Sequence, residues 1–508
     1  MQKPIRRKPV VLIVLDGWGL NDGTEDNAIA QANTPFYDHL WQDYPHATLD
    51  ASEEHVGLPK GQIGNSEIGH MTIGAGTTIH TDLVRIEKAI QDNTWDANPA
   101  FTELFNHVKS NNSTLHVQGL VSPGGVHSHS NHLYAFLEAA KQAGIHNVVI
   151  HAFTDGRDTP PQSAASYLRE LEQVIEKVGI GFIATTSGRF YAMDRDNNWD
   201  RLQKVEDALF ECKGKICTAK KPSEAYEELY KDGILDEHAE PLVFLDDNGK
   251  SYKIEDNDGI FFFNFRSDRG RMLSKKIIER NKKQNLCFVT MTQYDETFEC
   301  LVAFPPRGID TTLASEISKA GLQQAHIAET EKYPHATYFL NGGKQDPHEG
   351  EVHILVESRK DVPTHDLAPK MRAKEIADKA IEQIERGSDF LFINFANADM
   401  VGHTANQPAI IEAVEEVDQQ LSRVAAAVEK KHGVLVITAD HGNAEVMIDP
   451  ITKEKHTAHT LNKVPAIITD AQYPMHSDGT LADIAPTVLY LMNIEKPASM
   501  TGKNLIIL

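Results

Sequence analysis

Three apolar runs of the sequence end in side chains that can hold a divalent cation. Val434 to Ile437 leads through Thr438 and Ala439 into Asp440 and His441, Val10 to Leu15 leads into Asp16 and Gly17, and Phe390 to Phe395 is followed by Asp399 and His403. With His459, these are oxygen and nitrogen donors with no thiolate among them. Such a set suits Mn²⁺, Mg²⁺ or Zn²⁺, and the mixture of carboxylate with imidazole leans toward Mn²⁺ or Zn²⁺. Ligands of open α/β sheets bind outside the carboxyl ends of the strands, so three such ends point to one crevice and to metal-dependent phosphoryl transfer. Asp399 and His403 stand four residues apart, which places both on one face of a helical turn. A lone Asp after a strand is more often an N-cap or turn residue; the repetition at several strand ends is what speaks for a metal centre.

A nucleophile candidate lies in GQIGNSEIGHMTIGAG, where Ser66 follows Gly64 and Asn65 at the expected start of a helix. Backbone N–H groups and the helix dipole favour an anion there. The same position also suits a plain N-cap serine, and a free serine hydroxyl is too basic to ionise near neutrality, so Ser66 serves as a nucleophile only beside a metal. The middle of the chain carries basic candidates instead. Arg157 and Asp158 sit in TDGRDT, Arg189 and Arg195 in SGRFYAMDRD, and Arg266 and Arg269 in NFRSDRGRM, each after a strand-like run. Arginine's planar fork binds phosphate and carboxylate bidentately, which fits a small molecule bearing both. The competing reading is surface pairing with Asp194, Asp196 and Asp268. His127 shares SPGGVHSHSNH with His129 and His132, a pattern open to either metal binding or a phosphate-facing His127. Lys332, in TEKYPHAT, reads by default as a solvent-facing lysine.

The elements expected to position these residues alternate in type. Leu115 to Val121, Val148 to Phe153, Ile180 to Thr186, Ile260 to Phe265 and Leu286 to Thr292 join the runs above as strands, and helical stretches lie between them. Ile410, Val414, Val417, Leu421, Val424 and Val428 recur at helical spacing. A length of 508 residues exceeds one ordinary core, and the metal-type residues occupy both ends of the sequence around an arginine-rich middle. This predicts a discontinuous domain, 1–77 plus 311–508, around an inserted domain at 78–310. Glycine and proline mark the boundaries at Gly74-Ala75-Gly76-Thr77-Thr78 and Phe304-Pro305-Pro306-Arg307-Gly308. A net charge of −23 argues against a nucleic-acid or anionic-membrane surface. Cys212, Cys217, Cys287 and Cys300 form no zinc pattern and fit a reduced, cytoplasmic setting. The basic start, Arg6, Arg7 and Lys8, precedes an apolar run too short for a signal sequence, and no run approaches the ~20 residues of a membrane span.

Taken together, LDGWG, GNSEIGH, TDGRDT, FNFRSDR, NADMVGH and TADHGN resemble the cofactor-independent (2,3-bisphosphoglycerate-independent) phosphoglycerate mutases of the alkaline-phosphatase superfamily, in order and over essentially the whole chain. The central arginine motifs set this resemblance apart from the superfamily's phosphatases and phosphopentomutases. It implies an alkaline-phosphatase-like metal-binding domain with an inserted α/β transferase domain, a monomer, and 3-phosphoglycerate and 2-phosphoglycerate as substrates. It also implies two Mn²⁺ per subunit, with Mg²⁺, Co²⁺ or Zn²⁺ as substitutes. By motif match, Asp399, His403 and His459 would hold one metal, and Asp16, Ser66, Asp440 and His441 the other. His127, Arg157, Asp158, Arg189, Arg195, Arg266, Arg269 and Lys332 would bind substrate. Ser66 would carry the phosphoryl group as phosphoserine, Asp158 would act as general base and Lys332 as electrostatic stabiliser, with domain closure excluding water.

Overall fold

The computed structural model describes residues 7–217, 221–306, 308–449 and 451–507; Arg6 of the basic start and Arg307 of the second boundary motif lie outside them. The chain forms two compact units, Met1–Thr81 with Gly308–Leu508, and Asp82–Arg307. Each is a mixed sheet flanked by helices.

In the discontinuous unit the sheet order is Glu351–Val356, Gln324–Glu329, Phe390–Phe395, Val10–Leu15, Val434–Thr438, Val464–Ile468, His46–Asp50 and Asp478–Thr480. The first five strands run parallel, while Val464–Ile468 is antiparallel to both its neighbours. Every residue of Val10–Leu15 is buried, because a central parallel strand is covered on both faces and so reads as an unbroken apolar run. Its register fixes the site: Leu15 lies beside Phe395, and Val14 beside both Asn394 and Thr438. Three chain segments therefore leave the sheet at one level, carrying Asp16, Asp399 and Asp440. Among the flanking helices, Gln407–Lys430 buries Ile410, Val414, Val417, Leu421, Val424 and Val428, the stripe its periodicity predicts.

The inserted unit has the order Leu301–Phe304, Cys287–Thr292, Gly259–Phe262, Leu115–Leu120, Val148–Thr154, Phe182–Gly188, Leu242–Val243 and Lys215–Ile216. Phe182–Gly188 pairs antiparallel with Leu242–Val243, and the other pairings are parallel. By compactness the units divide at Thr81/Asp82 and Arg307/Gly308, within a few residues of the 77/78 and 310/311 expected from sequence. The Gly74 to Thr78 segment is not a linker throughout: Gly74 lies in the last turn of the helix Ser66–Ala75, which Gly76 caps, and a Cβ on Gly74 would stand 1.9 Å from the Leu340 carbonyl oxygen. Close packing, rather than flexibility, accounts for that glycine. Among the described residues no helix is long and apolar enough to cross a membrane.

Candidate metal centre and arginine cluster

Ser66 opens the helix Ser66–Ala75, but it does not cap it. Asn65 is the N-cap, and its side chain accepts from the Ile68 N–H at 3.1 Å. The Ser66 hydroxyl is thereby free of local capping. Buried to 6% exposure, it lies 2.7 Å from Lys332 Nζ, 3.0 Å from His441 Nε2 and 3.4 Å from Asp16 Oδ1. Lys332 is itself buried, after the strand Gln324–Glu329, and donates to Asp16 Oδ1 at 2.7 Å and to Asp399 Oδ2 at 2.6 Å. The solvent-facing reading of this lysine is therefore overturned.

Asp399 sits in the short helix Asn397–Gly402, which His403 terminates. Asp399 Oδ1 stands 3.3 Å from His403 Nε2 and 3.2 Å from His459 Nε2, and the two imidazole nitrogens are 3.3 Å apart. Three donors so spaced can each lie about 2 Å from one central cation, the usual bond length to a borderline divalent metal. The other ring nitrogens agree. His403 Nδ1 meets the Thr457 carbonyl at 2.7 Å and His459 Nδ1 the Gly64 carbonyl at 2.9 Å. A carbonyl only accepts, so each Nδ1 carries hydrogen and each Nε2 turns toward the cluster. On the other side, His441 Nε2 lies 3.4 Å from Asp440 Oδ2 and 3.7 Å from Asp16 Oδ1. Asp440 Oδ2 is buried and accepts no hydrogen bond among the described residues. The donor set and this orphaned oxygen fit divalent cations.

Electrostatics support the same conclusion. Burial raises the pKa of Asp16, reinforced by the Asp440 charge. Burial acts the same way on Asp399, but Lys332, His403 and His459 outweigh it and hold that carboxyl well below its usual range. Asp440 is likewise lowered against its burial by His441, His70 and Lys332. Burial alone would depress the Lys332 ammonium, yet Asp16, Asp399 and Asp440 raise it above its ordinary value. His403 is raised by its hydrogen bond to Asp399, and His459 is raised by the same carboxylate against the effect of burial. Both imidazoles thus carry protons above pH 6.5 that a metal must displace. Mn²⁺ affinity of stripped protein is expected to rise with pH through the ordinary histidine range and beyond it, by up to about tenfold per pH unit for each proton released. Titration at several pH values, in buffers of different ionisation enthalpy, measures this; a flat affinity would refute it.

Several residues of this centre carried no usable sequence signal. His70, one helical turn beyond Ser66, places Nδ1 2.9 Å from the Ser66 carbonyl and 3.3 Å from Asp440 Oδ2. Asn394 donates to Asp16 Oδ2 at 2.8 Å, and Asn443 to Asp399 Oδ1 at 2.9 Å. GNSEIGH and TADHGN did contain His70 and Asn443, but only three-dimensional proximity reveals their partners. A separate His326, Glu351 and His353 group lies on the edge strand Glu351–Val356 and its neighbour Gln324–Glu329. There His326 Nδ1 meets the Ala336 carbonyl at 2.9 Å, and His353 Nε2 meets Glu351 Oε1 at 2.6 Å, so those hydrogens are already engaged.

In the inserted unit, Arg189 follows the strand Phe182–Gly188 and is buried, with Nη1 2.6 Å from Asp155 Oδ1 and 2.5 Å from Asp158 Oδ2. Asp155 was not singled out from sequence, yet its Oδ1 also accepts the Arg157 and Asp158 N–H groups at 3.2 and 3.0 Å. Asp268 gathers Arg195 and Arg266, each at 3.1 Å. Arg269 donates to the Met193 carbonyl at 3.0 Å, and Arg157 lies 3.5 Å from Glu237. The Asp268 pairing expected of surface arginines is thus present, but Arg195 and Arg266 remain nearly half exposed, at 46% and 48%. His127 stands 3.9 Å from Asp158 and 3.7 Å from Asp268. Burial, then the Arg189 charge, push it down to about 4, so it is neutral near pH 7. His129 instead caps the helix Ser130–Gln142, and His132 is buried beside Phe265. The tandem histidines therefore form no metal group among the described residues.

Comparison with known proteins agrees with these two units. Residues 86–296 match the family model described as BPG-independent PGAM N-terminus, and 309–499 match Type I phosphodiesterase / nucleotide pyrophosphatase. The 2,3-bisphosphoglycerate-independent phosphoglycerate mutase of Francisella philomiragia is 45% identical, over 98% of this chain and 99% of that protein. The chain belongs to this mutase family. The family's Chloroflexus aggregans member is 46% identical over 99% of both chains. A solved Leishmania mexicana phosphoglycerate mutase, studied at low cobalt concentration, aligns over 99% of both chains with a TM-score of 0.57 and 29% identity.

Proposed function

We propose that the chain interconverts 3-phosphoglycerate and 2-phosphoglycerate through a phosphorylated Ser66, without 2,3-bisphosphoglycerate, as a step of glycolysis and gluconeogenesis. The observation that carries this reading is the Ser66 hydroxyl, released from capping by Asn65 and held between Lys332 Nζ and His441 Nε2. Asp399, His403 and His459 would hold one Mn²⁺, and Asp16, Ser66, Asp440 and His441 another, with Mg²⁺, Co²⁺ or Zn²⁺ as substitutes. Bound there, the cations supply neutralising charge to the transferring phosphoryl oxygens.

The chain's own residues account for the remainder. Ser66 Oγ, its proton released to solvent, attacks phosphorus as the bond to the glycerate oxygen breaks and that oxygen takes a proton from Asp158, while Lys332 Nζ, fixed by two carboxylates, stabilises charge on the transferring group. Asp158 takes and returns the protons of the glycerate hydroxyls, its carboxylate held by Arg189. Arg157, Arg189, Arg195, Arg266, Arg269 and His127 bind the carboxylate and phosphate of the substrate, retaining glycerate until its other hydroxyl recovers the phosphoryl group. A simple phosphatase needs no such retention. All four cysteines are free, which supports a cytoplasmic setting, and we assign the chain as a monomer with no nucleic-acid or membrane partner.

Metal-stripped protein given 3-phosphoglycerate, with no added bisphosphoglycerate, is expected to form 2-phosphoglycerate only when Mn²⁺ is restored, releasing little free phosphate. Phosphate release without isomerisation would make it a phosphomonoesterase. Neither product would make it a non-catalytic binder.

A further inference from the structure

Glu445 is a fully buried carboxylate whose position in the fold exceeds anything a neighbouring charge explains. Among the described residues it has no Lys, Arg or His partner. Its four acceptor interactions come instead from neutral donors on three separate segments. Oε2 accepts the backbone N–H of Gly19 at 3.1 Å and of Asn443 at 2.8 Å. Oε1 accepts the Thr460 hydroxyl and Asn462 Nδ2, the latter at 3.0 Å. Its backbone carbonyl further receives Asn21 Nδ2 at 2.9 Å.

Each tethered segment carries cation ligands of the centre described above. Gly19 lies three residues beyond Asp16, Asn443 follows Asp440 and His441, and Thr460 follows His459. Asn443, anchored through its backbone, in turn donates to Asp399. Further bonds tie the segments together: Gly17 N–H to Asp440 Oδ1 at 3.3 Å, and Thr460 N–H to the Gly442 carbonyl at 3.0 Å. The backbone is built around this carboxylate. A Cβ on Gly19 would stand 2.2 Å from the Glu445 carboxyl carbon, and one on Gly442 would stand 2.3 Å from its Oε1.

We propose that Glu445 is a positioning residue for the metal centre, its carboxylate setting the spacing of the Asp16, Asp440–His441 and His459 segments and thereby the affinity for divalent cations. This rests on the metal-centre reading given under the proposed function. The chemistry requires a carboxylate. Glutamine has one acceptor oxygen and one donor amide, so at least one of the two pairs of donors would face an N–H₂ group. A buried donor without an acceptor costs the full desolvation of that group. Partners that orient ligands without touching the metal alter affinity by about 10–100-fold when replaced.

Mn²⁺ titration of the metal-stripped chain tests this, with wild type, Glu445→Gln and Leu168→Ala compared alongside their melting curves. Leu168 is a buried leucine of the inserted unit and controls for general destabilisation. Glu445→Gln is expected to bind Mn²⁺ about 10–100-fold more weakly, while Leu168→Ala loses stability but keeps wild-type affinity. Wild-type uptake with an unchanged Glu445→Gln affinity overturns the proposal alone; a wild-type chain that binds no Mn²⁺ sinks the metal-centre reading and the proposal with it. Should Glu445→Gln not fold, Thr460→Val and Asn462→Leu each delete one donor. A severalfold weakening in them supports the proposal, and wild-type affinity in both overturns it.

Discussion

Replacing Ser66 with alanine is expected to abolish interconversion of the phosphoglycerates, with a loss of at least about 10⁴-fold in kcat, while leaving the fold and most Mn²⁺ binding in place. The substitution removes one hydroxyl from the first position of a helix whose cap, Asn65, is untouched, and alanine favours that conformation. Lys332 keeps Asp16 and Asp399 as acceptors, so no buried ammonium is orphaned. Asp16, Asp440 and His441 remain to ligate a cation. Initial rates, a melting curve, Mn²⁺ titration and intact-mass analysis after incubation with substrate separate the effects. Turnover within tenfold of wild type, or phosphorylated protein in the variant, would remove Ser66 as the nucleophile.

That prediction rests on a residue visible in the sequence whose environment was not. Ser66 and the strand ends carrying Asp16, Asp399 and Asp440 were legible because strands buried on both faces make continuous apolar runs. The strand Gln324–Glu329 was not. Its Gln324, His326 and Glu329 are buried polar residues, and polar side chains conceal a strand from an argument based on apolar runs. Lys332 follows that hidden strand, so sequence pattern left it at the solvent-facing default, and only family resemblance gave it a role. The arginines were legible as a group, but not the carboxylates that organise them: Asp155 is an ordinary turn residue by sequence and becomes the base of the cluster only when Arg189 folds onto it. Glu445 is the extreme case, since its four donors lie at positions 19, 443, 460 and 462. No local periodicity joins positions so far apart.

The second large effect concerns Lys332→Met, which keeps much of the side-chain volume and deletes the charge. Its Nζ sits between Asp16 Oδ1 and Asp399 Oδ2, two buried oxygens that without it lose the ammonium they share. Removing one partner of a buried ion pair costs about 3–5 kcal/mol, because the remaining charge stays desolvated. The metal-stripped variant should therefore unfold at markedly lower urea concentration. Asp16, already raised by burial and by Asp440, loses the ammonium that opposes both influences. The variant's carboxyl takes up a proton more readily, so the folded state binds more protons than the unfolded state and stability falls as pH rises through the carboxylate range and above. The deficit should accordingly widen as pH rises from the acid side of the carboxylate range. Mn²⁺ should narrow it, since a divalent cation compensates the same carboxylates and stabilises in proportion to its binding. Activity should not recover with stability: loss of a preorganised charge at the transferring phosphoryl group costs about 10²–10³ in kcat even with metal present. Stability rescued by Mn²⁺ with catalysis still depressed would separate the two roles of Lys332, balancing the carboxylates and stabilising phosphoryl transfer. Wild-type kcat in the metal-loaded variant would confine it to the first.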